Sequence, residues 1–139
     1  HSQSDIGVFS CGQHYPHLHE LKLTVVDFGV GIPSNVRMFF PERDILADKA
    51  LQWAFMRGTT TKPNGMRRGL GLDMLKEFVK VNKGQLEIFS HEAYGLIDEG
   101  RETYRSREIF FEGTLINITL RCDESYYCLV SETVDEPLF

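Results

Sequence analysis

The stretch Leu21-Lys22-Leu23-Thr24-Val25-Val26-Asp27-Phe28-Gly29-Val30-Gly31-Ile32-Pro33 limits the fold of this chain more than any other. It begins as an alternating strand, turns fully apolar as a buried strand does, and stops on a carboxylate. Gly29 and Gly31 follow, and then a proline suited to the first turn of a helix. Asp27 therefore sits where the sheet ends, and its side chain can reach a ligand there. Glycines at such a place let backbone approach a flat or charged group closely. The same residues also suit an Asx-type turn leaving a strand, so they point to a ligand only in company.

The remaining periodicity sets the class. Further strand-like runs lie at Ile6–Phe9, Gln85–Phe89, Glu108–Phe111 and Leu115–Leu120, the last two parted by Glu112-Gly113-Thr114. Apolar residues at helical spacing mark 42–56 after Pro41, and 70–81 before the stop Asn82-Lys83-Gly84. A shorter helix is expected over Ser34–Phe40. Between them, Met56–Arg68 is a polar loop, and His91–Arg107 reads as a hairpin or surface excursion. This order predicts an α+β two-layer sandwich, with a mixed, mainly antiparallel sheet and helices on one face. One domain spans 1–139, with its core over about 5–121 and a C-terminal extension over 122–139.

Composition narrows the function classes. The 42% hydrophobic content fills a core, which excludes a disordered tail or a fibre. A net charge of −5 opposes sequence-independent binding to nucleic acid, which needs Lys and Arg on phosphates. No apolar run approaches the roughly 20 residues that span a bilayer. Three cysteines without regular spacing argue against a disulfide framework, and a reducing, cytoplasmic setting is expected.

Two more segments could serve chemistry. Arg67-Arg68-Gly69-Leu70-Gly71-Leu72 opens the second helix, where exposed N–H groups, glycines and arginines suit an anion such as a phosphate. Lys62 and the hydroxyls of Thr59, Thr60 and Thr61 precede it. The spacing is neither a P-loop nor a dinucleotide fingerprint, and alone it is also a helix start with solvated arginines. Gly113-Thr114, entering the last strand, is alone a turn before a strand.

In this order and spacing, the three pieces resemble the GHKL ATPase superfamily, which holds gyrase-type, heat-shock chaperone, histidine-kinase and mismatch-repair ATP-binding domains. Asp27-Phe28-Gly29-Val30-Gly31-Ile32 resembles its D-x-G-x-G box, and Gly69-Leu70-Gly71-Leu72 its G-x-G-L box. Asn82–Ser90 is similar to the turn and strand that follow that box in histidine kinases. The resemblance implies the histidine kinase-like ATPase fold, with adenine bound through Asp27 and Thr114. It implies phosphates held at Gly69, Leu70, Gly71 and Leu72 beneath a mobile lid over roughly 57–68. Lys62, Arg67 and Arg68 are the candidate lid cations. The family's upstream helix, which supplies the water-activating carboxylate and the Mg²⁺-bearing Asn, has no counterpart between His1 and the first strand. This chain, which opens at His1-Ser2, is therefore expected to be a truncated domain, with no catalytic residue and no metal ligand of its own. ATP is its expected ligand, with a protein substrate or regulatory partner in the intact protein. The alternative is a non-catalytic module of the same fold that binds a partner.

Two clusters are set aside. His19-Glu20-Leu21 resembles a phosphoacceptor motif, but it runs straight into the Asp27 strand instead of a long helix. Cys11, His14, His17 and His19 lack a second ligand cluster to complete a zinc site, and Gly12, Tyr15 and Pro16 suggest a hairpin turn there.

Overall fold

A computed structural model describes residues 5–56, 58–59, 71–123 and 126–132. Among these described residues four strands form one sheet: β1 (Val8–Tyr15), β2 (Glu20–Asp27), β3 (Gln85–Ile97) and β4 (Glu102–Arg121), in the order β1-β2-β4-β3. Every neighbouring pair is antiparallel, so the expected mixed character is replaced by a fully antiparallel sheet. Three helices, α1 (Gly31–Phe39), α2 (Ala47–Ala54) and α3 (Gly71–Val81), complete an α+β fold consistent with a two-layer sandwich. Among the described residues no helix is long and apolar enough to cross a membrane.

Strand alternation places the core. Leu86 and Ile88 of β3 face the helices, opposite Ile118 and Ile116 of β4. Against them pack Ala47, Leu51 and Phe55 from the α2 region and Val79 from α3. Leu72, Leu75 and Phe78 of α3 and Ile32 of α1 close over the same cluster. Burying these side chains is the main source of stability, at about 1.5–3 kcal/mol for each large one.

Several expectations are corrected. β1 continues through Gly12 to Tyr15, and the chain reverses at the 3₁₀ turn Pro16–Leu18 and His19, whose φ is +52°. The helix expected over 42–56 begins only at Ala47: Arg43 N–H closes a turn onto Phe40 O, and the Arg37 guanidinium takes Ile45 O at 2.8 Å. The backbone groups of Arg43 and Ile45 are thus engaged outside the helix, whose first bond runs from Ala50 N–H to Leu46 O. The runs Glu108–Phe111 and Leu115–Leu120 belong to the single strand β4, which passes through Gly113 at φ +104°.

The 91–112 segment is structural. Irregularities at Phe89/His91 and His91/Ala93 bend the β3–β4 hairpin back along β3. A Cβ on Gly95 would lie 2.8 Å from Ile88 Cγ2, and the Tyr94 hydroxyl donates to Glu87 Oε1 at 3.0 Å. Ala93 and Ile97 thereby join the core. The hairpin is also tied to α3: Lys80 Nζ donates to Glu102 Oε1 at 2.9 Å, and Lys76 Nζ lies 3.7 Å from the same oxygen. Beyond β4, the tail docks on the end of α3, where the Asn82 side-chain amide bonds both Cys128 O and Cys128 N–H at 2.9 Å.

The Glu102 contacts make stability depend on pH. Burial pushes the Glu102 carboxyl up, but the hydrogen bond from Lys80 and the charges of Lys76 and Lys80 outweigh it and hold the group below its ordinary value. A carboxyl depressed in the folded state adds stability above the unfolded value of about 4.3 and loses it as pH falls through the lower folded value. Urea midpoints measured from pH 6 to pH 2.5 are expected to fall less steeply for Glu102→Gln than for the parent. Superimposable profiles would show that the hairpin gains nothing from this charge.

Candidate nucleotide site

The register of β2 and β4 brings the two candidate adenine residues together, with Asp27 directly opposite Thr114. Both lie on the helix side. Asp27 has the phase of Leu21, Leu23 and Val25, and in register Leu23 and Val25 oppose Ile118 and Ile116, which pack on the core. Asp27 is half-buried and Thr114 is buried. One carboxylate oxygen, Asp27 Oδ1, accepts from Gly29 N–H at 2.9 Å, the Asx turn that the bare sequence allowed. The second carboxylate oxygen gives this side chain further acceptor capacity.

Gly31 of the first box and Gly113 of the last are required by space. Gly31 opens α1 at φ +72°, and a Cβ there would lie 2.6 Å from His91 Nε2 and 3.0 Å from Gly113 O. Gly113 is tighter still, since its Cβ would lie 2.1 Å from Asp27 O and 2.8 Å from Phe28 Cα. Two backbone segments thus meet face to face at the strand end, which only glycines permit.

Ser90 ties these parts together, and the sequence reading missed it. Its Oγ is fully buried, accepts from Ile32 N–H at 2.9 Å and donates to Gly113 O at 2.6 Å. Ser90 has one hydroxyl hydrogen, and Gly113 O takes it. The 3.1 Å contact between Ser90 Oγ and Thr114 Oγ1 is therefore donated by Thr114. Thr114 Oγ1 is left to act as an acceptor, beside the Asp27 carboxylate. A signal was present: Ser90 falls on the same buried phase of β3 as Leu86 and Ile88. A small polar residue there marks a place where β3 serves a hydrogen-bond network.

Ser90→Ala is expected to cost about 1–3 kcal/mol, because it strands the Ile32 N–H and the Gly113 carbonyl. Urea unfolding measures this, and a shift under about 0.5 kcal/mol would mean that both groups find other partners.

Gly69 and Leu70, with Lys62, Arg67 and Arg68, lie outside the described residues, as does most of the expected lid. Gly71 is the exposed first residue of α3, and Leu72 packs on the cluster that also receives Ile32. One residue from each glycine box therefore rests on the same core. Thr59, grouped in the sequence with phosphate-side hydroxyls, has its Oγ1 2.9 Å from Trp53 O and 2.8 Å from Met56 O, so its single hydroxyl hydrogen is directed to the end of α2.

Other candidates separate in space. Cys11 and His14 are an odd number of residues apart on β1, so they point to opposite faces. A cleft of about 370 Å³ lies at the far end of the sheet, lined by Glu20, Arg121, Lys83 and the hairpin-tip residues Asp98 and Glu99 among others. It contains neither Asp27 nor Thr114, and its mixed charges do not match the apolar lining usual for a nucleobase site.

No family model matches this chain, and no curated protein matches it by sequence.

Proposed function

We propose that this chain is a GHKL-type ATP-binding domain that holds adenine between Asp27 and Thr114. The observation that carries the reading is their opposition in register on the helix side of the sheet, locked by Gly113 against Asp27 and by Ser90 beneath Thr114. The two side chains offer acceptors, and the exocyclic amino group of adenine is a donor. Gly31 and Gly113 keep the surrounding backbone close, so the base edge meets no side chain of theirs. Phosphates would lie toward the start of α3, at Gly69 and Gly71, with Lys62, Arg67 and Arg68 as lid cations.

In an intact protein such a domain couples Mg-ATP binding to hydrolysis or phosphoryl transfer, where the metal neutralises charge on the phosphate oxygens. The Asp27 carboxylate accepts from Gly29 N–H and is assigned here to the base rather than to a metal.

Ligand-observed NMR, which reads weak binding, tests the reading with ADP beside UDP. Saturation transfer to the adenine protons, absent for uracil, is the expected result. Equal responses from the two nucleotides, or none from either, would overturn the adenine site.

A further inference from the structure

Among the described residues β1 pairs with β2 alone, which leaves its other side as an edge of the sheet. Residues Val8–His14 are exposed along its length. Natural edges are usually blunted by Lys, Pro, a bulge or a covering segment. β1 reads VFSCGQHY, with no Lys, Arg, Asp, Glu or Pro, and its register with β2 runs unbroken from Val8–Asp27 to Tyr15–Glu20. Val8 and Phe9 are 61% and 51% exposed. At the opposite edge, β3 is met by its own folded-back hairpin.

The groups that face outward follow from hydrogen-bond alternation. Cys122 N–H donates to His19 O at 2.7 Å, and these two residues stand opposite each other when the β2–β4 register is extended by one. That pair is therefore a bonded one. Bonded and non-bonded pairs alternate in an antiparallel ladder. Leu21, Leu23, Val25 and Asp27 accordingly bond to β4, while Glu20, Lys22, Thr24 and Val26 bond to β1. Their partners in β1 are Tyr15, Gln13, Cys11 and Phe9. The backbone groups of Val8, Ser10, Gly12 and His14 are the ones presented at the edge.

We propose that this edge is closed by β1 of a second copy of the chain, antiparallel and on a twofold axis at Cys11. In that register Val8 opposes His14 and Ser10 opposes Gly12, so all four outward residues form bonded pairs. Axes at Ser10 or Gly12 would engage three each. The strand is thus hydrogen-bond complementary to itself, as an isologous interface requires. Charge favours the same occupant. The chain carries −5 overall, but β1 has no formal charge with His neutral, so two copies meet here without like charges opposed. The result is one continuous sheet of eight strands, four from each copy. Cys11 then faces Cys11 of the second copy in a non-bonded pair, with Cα atoms about 4.5 Å apart. That lies within the roughly 4.4–6.8 Å that a disulfide spans.

Two measurements test this. Sedimentation equilibrium over a concentration series is expected to show a monomer–dimer equilibrium. Mild diamide oxidation of a Cys122→Ser, Cys128→Ser variant is expected to yield a covalent dimer joined at Cys11. Ser10→Pro removes an outward N–H that β2 does not use, so it is expected to abolish the dimer with an unchanged far-UV circular dichroism spectrum. A chain that stays monomeric at every concentration overturns the proposal. So does a dimer that fails to cross-link through Cys11, which decides the matter even if Ser10→Pro does not fold.

Discussion

Gly113→Ala is expected to remove about 2–6 kcal/mol of folding stability, a large share of the roughly 5–15 kcal/mol that holds a domain folded. Two costs combine. At φ +104° an L side chain is strained by about 1–3 kcal/mol. The added methyl would also sit 2.1 Å from Asp27 O, and 2.9 Å from Asp27 C, with backbone rather than a flexible side chain in the way. Relief requires β4 to move away from the end of β2, which separates Asp27 from Thr114. Thermal and urea unfolding measure the loss. A variant with the parent's midpoint would show that the two segments part without penalty, and would remove the rigid frame on which the proposed adenine site depends.

Asp27→Asn is expected to weaken adenine nucleotide binding by about 1–3 kcal/mol, roughly 5–150-fold, while leaving the fold intact. The separation of the two effects is chemical. The asparagine oxygen can still accept from Gly29 N–H, so the turn survives. The other arm of the carboxylate becomes an NH₂ donor, which repels the amino group of adenine. A base lacking that amino group should lose less affinity than adenine does. Unchanged ATP affinity in the variant would remove Asp27 from the site, and a lowered melting temperature of similar size would assign it to the fold alone.

The parts of this architecture that the sequence disclosed are those governed by short-range pattern. The apolar run before Asp27, the helix from 71 to 81 and the alternation of Gln85–Phe89 all rest on local periodicity, and each became the expected element. The hairpin was harder to read because its polar residues are used inward. Glu102 is held by Lys80 and Lys76, and Tyr94 lies beneath Arg105 and Arg107, whose guanidinium carbons stand 4.9 and 3.9 Å from its ring centroid. Charge of this kind looks solvated in a sequence. Gly113 failed for a related reason, since a glycine between two strand-like runs suggests a turn unless the facing backbone is known. Asp27 and Thr114 were named from their motifs, but their opposition depends on a register spanning most of the chain. Ser90 required both pieces of information at once.

Lys76 has a consequence for how the segment between α2 and α3 can vary. Its Nζ donates to Phe55 O at the exit of α2 and lies 3.6 Å from Asp73 in the first turn of α3. One half-buried ammonium thus gathers the two ends of a fifteen-residue connection, 56–70. Whatever path those residues take, their entry and exit points are set by the core and not by the connection. The entropy of closing such a connection grows only with the logarithm of its length, by about 0.6 kcal/mol for each doubling. Insertions and deletions should accordingly be tolerated between Met56 and Leu70 far better than at Phe55 or Asp73, which makes this the natural place for sequence drift, for an inserted reporter, or for a change in what the domain grips.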